Sequence, residues 1–468
     1  MDWFSKNKFW LTGAGLSLLS AVVRFMAANQ TPHPTGWDGY YYVMQVQSWL
    51  EFGYLQSPDF SLIYPFLTVI AGVVGSPVLG FKIGVAMLSG ILTAVVFNYK
   101  RDVPLLALYV AASPLITYFI LQFPKNTLGL IFLILCLQSR NRWLTFLFFF
   151  ATLLTHRMTG AFAIIATGIY SLRHVSWQWI VIGALAVIAI SVLPGIIHIS
   201  DFARFNDQFT WAPHWAPLAF SRIFPNSLSW LFKLDLFIVS CGIVLTLVST
   251  FKRRKSLPFT SWMWLPITLI SIFPFFSFSA GNAGHRFFLV APIAFIMLLP
   301  PVDWKPKVQW VASSVLLVVT LFSWKSYKPG YFDPPNDRYA YIVKKLATRY
   351  DHKKYPLVIA HKSLAEMIIF KTDFDALNWL PPENIPARHV LRLINGVNYT
   401  DLRKHMDEAD RTQLRSIASG YFALPEDVWQ RFLASVERAN DDPVMKRIAK
   451  GRNPMEERPY YLNKGKIR

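Results

Sequence analysis

Apolar runs recur through the first 323 residues of this chain, most of them flanked by lysine or arginine, and they leave few ways to fold. They lie near residues 9–28, 62–77, 79–98, 103–120, 125–138, 143–155, 159–172, 177–198, 229–250, 260–279, 287–300 and 308–323. Inside a bilayer every backbone N–H and C=O must find a partner within the protein, so runs of this kind are read as helices. With 53% hydrophobic residues in 468 and a mean hydropathy of +0.34, the chain reads as an all-α polytopic membrane protein of about 11 transmembrane helices. Several runs are shorter than the ~20 residues of a perpendicular crossing, which predicts broken or shallow helices around a cavity. The first run exceeds the apolar core of a secretory signal and is followed by many others, so it is read as a retained anchor. Cys136 and Cys241 both fall inside apolar runs, which argues against disulfides and cysteine-rich metal sites.

The net charge of +20 is spread rather than clustered. Lys6, Lys8, Lys100, Arg101, Arg140, Arg142, Arg173, the run at 252–255, Lys305 and Lys307 occupy short connections, the pattern of cytoplasmic loops under the positive-inside rule. A nucleic-acid role needs a basic patch on one soluble face, and none is visible. Starting from a cytoplasmic N-terminus, the alternation puts the loop around Asp38 outside the cytoplasm. The connections at 124–126, 155–160, 201–227 and 281–286 follow it there, as does the chain from about residue 324. Residues 62–98 must then supply an odd number of crossings. The expected domains are a transmembrane module over 1–323 and an extracytoplasmic soluble domain over 324–468. Helical patterning at 338–350, a β-rich run at 357–360 and a second helix at 363–370 make the latter a small α/β domain, with a polar tail after residue 453.

Three outward clusters carry candidate chemistry. The first is His33-Pro-Thr-Gly-Trp37-Asp38-Gly-Tyr40-Tyr41, followed by a stretch at 40–50 that predicts a helix along the membrane surface. An interfacial aromatic belt accounts for the rings, but a carboxylate among Trp37, Tyr40 and Tyr41 needs a partner or a function. The second is His156-Arg157, at the turn of a helical hairpin. There the arginine either meets a phosphate or snorkels from a helix end. The third is Gly281-Asn-Ala-Gly-His285-Arg286, expected just before a helix whose N-terminus would favour an anion; a tight turn with an exposed arginine explains the same residues. Lys125 adds a further positive charge on the outer side.

The order of these parts resembles the GT-C superfamily of polyprenyl-phosphate-sugar-dependent glycosyltransferases, including the protein O-mannosyltransferase and aminoarabinose transferase type. The resemblance rests on Trp37-Asp38-Gly39-Tyr40-Tyr41 as an acidic first outer loop, the surface helix, Tyr64-Pro65-Phe66-Leu67, His285-Arg286-Phe287-Phe288 and an outward C-terminal domain. It implies transfer of a sugar from a lipid-phosphate donor to a lipid, glycan or protein acceptor. Asp38 would activate or orient the acceptor. His156, Arg157, His285, Arg286 and Lys125 would hold the donor phosphate, and Trp37, Tyr40, Tyr41 and Tyr64 would line the substrate. Many relatives carry two acids close together in the first loop, whereas here the next acids are Glu51 and Asp59. No cofactor is indicated with certainty, and a divalent metal is not supported, since it would need oxygen ligands from more than one segment. A transporter or lipid flippase is the rival reading, expected to show internal repeats and ionisable residues near the midplane. No repeat is visible. A non-catalytic envelope assembly protein is the third.

Overall fold

Pro104, Pro114 and Pro124, ten residues apart, each open a helix: Pro104–Ala112, Pro114–Gln122 and Pro124–Gln138. Proline has no N–H to donate and a fixed φ, so it suits a first turn and forbids continuation of the turn before it. The stretch at 103–120, expected as one span, is therefore two nine-residue helices bent by 62° at Ser113. The same residue type divides the run at 287–300, where Pro292 opens Ala291–Leu298 after a separate short helix, Ala283–Phe288. The run at 260–279 is likewise short pieces, Phe259–Trp262 and Trp264–Ser271.

The structure is a computed structural model and describes residues 2–57, 59–101, 103–174, 208–253, 259–300, 305–377, 385–395, 399–404 and 406–439. The run at 177–198, Arg204, Asp207, Arg254, Lys255 and the tail after residue 453 lie outside the described residues. The chain is an integral membrane protein, mostly helical, with a small C-terminal sheet. Among the described residues four helices are long and apolar enough to cross a bilayer alone: Lys8–Ala28, Pro77–Tyr99, Trp230–Lys252 and Lys307–Ser326. The bent pair makes a fifth if it counts as one span, and Ile63–Val74, Pro124–Gln138 and Arg142–Thr155 are shorter apolar helices.

Contacts gather the chain into two units. The first comprises Met1–Gly36, Phe60–Ile70 and Leu79–Phe332; the second comprises Trp37–Asp59, Ala71–Val78 and the chain from Asp333. A helix break buried in the first unit frees backbone groups that no water can satisfy, and two charged side chains meet them. Arg24, fully buried, donates to the carbonyls of Ala111, Val110 and Ser113. Asp235, from Trp230–Lys252, accepts from Leu115 N (2.8 Å), Ser113 Oγ (2.6 Å) and the Tyr109 hydroxyl (2.7 Å). Arg24, Asp235 and Lys82 thus lie inside helices, not at the helix ends where the sequence reading places the charges.

The second unit holds a five-stranded mixed sheet of β1 (Leu357–Ile359), β2 (Asp375–Leu377), β3 (Val390–Asn395), β4 (Arg415–Ala418) and β5 (Tyr421–Pro425), in the order β2-β1-β3-β5-β4. β1 pairs parallel with β2 and β3, while β5 runs antiparallel to β3 and β4. Its apolar core includes Ile394, Phe422 and Leu424 from the sheet with Val428, Trp429 and Phe432 from the helix Glu426–Ala439. The helices Asn336–Arg349 and Lys362–Lys371 match the two expected from the sequence, and the helix Gly39–Phe52 packs against Lys362–Lys371.

Candidate active site

In the second unit Asp38 occupies the N-cap position of Gly39–Phe52, a favoured place for aspartate, yet its side chain makes no capping hydrogen bond. The carboxylate turns to Lys362, whose Nζ donates to Oδ1 at 2.5 Å. Both side chains remain partly open, 34% for Asp38 and 42% for Lys362. Burial opposes the Lys362 charge, but Asp38 and Glu366 outweigh it and hold the ammonium above the ordinary lysine range. The same ammonium lies 5.6 Å from the Tyr41 ring centre.

The flanking aromatics divide. Trp37 is exposed, while Tyr40 and Tyr41 are buried. Tyr40 packs on Phe370, and burial with the nearby Asp337 raises its phenol well above the ordinary value. The Tyr41 hydroxyl donates to Asp59 (3.2 Å) and accepts from Gln45 (3.1 Å). Gln45 also exchanges hydrogen bonds with the backbone of Ser57, pinning the turn that follows the helix. Asp59 therefore enters this loop by a contact that spacing alone did not reveal.

In the first unit two of the cationic candidates, Lys125 and Arg286, lie at one helix start. Lys125 is the second residue of Pro124–Gln138, buried, with Nζ 4.8 Å from the centre of the Tyr64 ring. Arg286 lies against Phe123, the residue before that helix, at 5.7 Å. Two donors there are buried without a partner among the described residues: Asn126 Nδ2 and Arg286 Nε. Asn126 is 2% exposed, and the sequence reading had given it no role. Ser61 donates to the carbonyl of Thr155 at 2.7 Å, joining the approach to Tyr64 with the hairpin turn. Gly129 allows the hairpin to close on this helix, since a Cβ there would stand 2.2 Å from Thr159 Oγ1. Arg157 is exposed at the start of Arg157–His174, and His156 Nδ1 accepts from Met158 N. Gly36, at φ +92°, abuts the other end of the Gln122 turn, where a Cβ would sit 2.8 Å from the Leu121 carbonyl.

His285 and Arg286 lie in the last turn of a six-residue helix, Ala283–Phe288, ahead of the helix Ala291–Leu298. His285 is 1% exposed and ringed by Tyr118, Phe123, Phe220, Phe224 and Phe278. Gly281 N donates to its Nδ1 at 2.9 Å, which leaves the ring proton on Nε2, facing the Tyr118 hydroxyl at 3.3 Å. Burial, then the Arg286 charge, push its pKa down to about 3. A neutral imidazole with both nitrogens engaged is placed to hold the turn. The described part of the 201–227 loop bonds to the same segment, through Thr210 N to Phe275 O, Ser277 N to Gln208 O and Ala283 N to Gln208 Oε1. Among the described residues no three His, Cys, Asp or Glu side chains come together to hold a metal ion.

No protein-family model and no curated protein matches the chain. Among solved structures it is similar to ArnT from Cupriavidus metallidurans bound to undecaprenyl phosphate, at 11% identity and a TM-score of 0.42, over 90% of this chain and 98% of that one. The apo state of ArnT gives 11% identity and a TM-score of 0.41, over 91% and 99%.

Proposed function

We propose that the chain is a membrane glycosyltransferase of the GT-C type, moving a sugar from a polyprenyl-phosphate carrier to an acceptor on the extracytoplasmic side. The observation that favours it is the start of Pro124–Gln138. A helix N-terminus, Lys125, and two buried donors without partners, on Asn126 and Arg286, form an arrangement suited to an anion. A phosphate monoanion would satisfy donors whose burial otherwise costs free energy. Asp38 supplies the second requirement, a carboxylate reachable from solvent. In the reaction the acceptor oxygen or nitrogen attacks the anomeric carbon and its proton passes to Asp38. The bond from that carbon to the phosphate oxygen breaks, and the phosphate leaves with the electron pair.

The test is transfer in vesicles carrying polyprenyl-phosphate-linked hexoses and pentoses in turn, with envelope extract as acceptor and release of polyprenyl phosphate as the readout. Asp38→Asn is expected to slow transfer by about 10²–10⁴-fold while leaving thermal unfolding unchanged. Wild-type rates in that variant would refute the assignment. A transporter draws support from Arg24 and Asp235 at a broken helix, and it predicts sugar-lipid translocation that survives Asp38→Asn.

A further inference from the structure

The pairing of Asp38 with Lys362 joins residues 324 positions apart, and local helix energetics do not explain it. Asp38 forgoes the capping bond its position offers, and Lys362 is the first residue of Lys362–Lys371, where the helix dipole disfavours a cation. A half-open ion pair adds little to stability either. Its location has more to say. From the carboxyl end of β1 the chain runs through Lys362–Lys371 to β2 on one side, while β3 lies on the other side of β1 and leads on to β4 and β5. The carboxyl ends of β1 and β3 thus form a topological switch point, the place where open sheets receive ligands. His361 follows β1 there, with Nε2 3.3 Å from the Tyr421 hydroxyl, and Asn395 ends β3 beside the same hydroxyl.

We infer that Lys362 is the positioning residue for Asp38: its ammonium turns the carboxylate away from its own helix, toward the switch edge, and keeps it charged for the acceptor. The inference rests on the proposed role of Asp38. Lys362 contributes the neighbouring charge and does not itself touch the reacting atoms. Among the described titratable groups, Glu366 and Tyr41 act on the Lys362 charge, the Tyr41 hydroxyl donates to Asp59, Tyr40 senses Asp337 of Asn336–Arg349, and His361 is the N-cap of Lys362–Lys371. Removing the ammonium takes away a positive charge in contact with the carboxylate, so the carboxylate should gain its proton at higher pH.

Two readouts test this on the full-length protein in vesicles. Infrared titration follows protonation of the carboxyl whose band disappears in Asp38→Asn, and the acid limb of the transfer rate is measured with the donors above. Lys362→Met should move both upward by about one pH unit, and Lys362→Arg should restore both. If Asp38→Asn abolishes transfer while Lys362→Met leaves the band and the limb in place, the inference is overturned and the proposed function stands. If Asp38→Asn transfers normally, the proposed function fails first, and the positioning role with it. Should Lys362→Met not fold, Lys362→Gln replaces it, and an unmoved titration there counts equally against the inference.

Discussion

Arg24 and Asp235, in the first unit, have almost no exposed surface, whereas Asp38 and Lys362, in the second, keep about a third and two fifths of theirs. The buried residues spend their hydrogen-bonding capacity on main chain and hydroxyls around Ser113, so their work is architectural: they replace the backbone partners lost to Pro114. Asp38 and Lys362 meet each other at a half-open surface, where the pair can be rearranged by a substrate. Charge in a protein of this kind therefore has two uses, and exposure together with the kind of partner separates them.

The hardest test of that contrast is removal of one buried charge. Arg24→Met strands the carbonyls of Val110 and Ala111 and leaves Asp235 without its opposite charge across the break. Loss of one partner from a buried charged network costs about 3–5 kcal/mol, and Asp235→Asn should behave alike. Both variants are expected to show lower yields of monodisperse protein and earlier unfolding in detergent, whereas Lys362→Met unfolds with the wild type. An Arg24→Met protein as stable as its parent would erase the distinction.

How far the sequence disclosed this follows from the range of each interaction. Helix positions and the Asp38 loop were legible because apolar periodicity and loop charges are local signals, and the ends of Pro77–Tyr99 and Trp230–Lys252 fall within three residues of the expected ones. The break at Ser113 was also written locally, in Pro114, but a long apolar run outweighed it in the reading. A single acid in the apolar run at 229–250 and a single arginine in the run at 9–28 were visible signals of an internal network. Lys362 was not legible: its partner lies 324 residues away, and a lysine at the start of an ordinary helix carries no mark. Strands of three to six residues with mixed composition hid most of the sheet. The surroundings of His285 were not legible, because the rings that enclose it come from distant stretches of the chain.

Arg286 falls between the two classes, with one buried nitrogen unpartnered and the rest of the side chain partly open. Arg286→Met should therefore weaken donor binding more than folding. A charge-assisted hydrogen bond is worth about 1.5–3 kcal/mol, so the apparent KM for the polyprenyl-phosphate donor should rise roughly 10–100-fold, with the unfolding midpoint little changed. Lys125→Met, at the same helix start, should act in the same direction. Unfolding of Arg286→Met without any change in KM would move this residue to the architectural class.

The smallest effect is expected at His285, which is buried like Arg24 but uncharged. Its pKa is about 3 in the folded protein against an ordinary value of 6.5. Below pH 6.5 the unfolded chain therefore binds a proton that the folded chain refuses, and this residue's contribution to stability is lost as pH falls from there toward 3. His285→Phe places a ring of similar size among the surrounding phenyls and gives up the acceptor for Gly281 N, at about 1 kcal/mol. At pH 8 the variant should unfold slightly before the wild type. On acidification below 6.5 the wild type should lose stability faster, so the two curves converge. Parallel curves would mean that the imidazole is already protonated when folded, and that its box admits an anion after all.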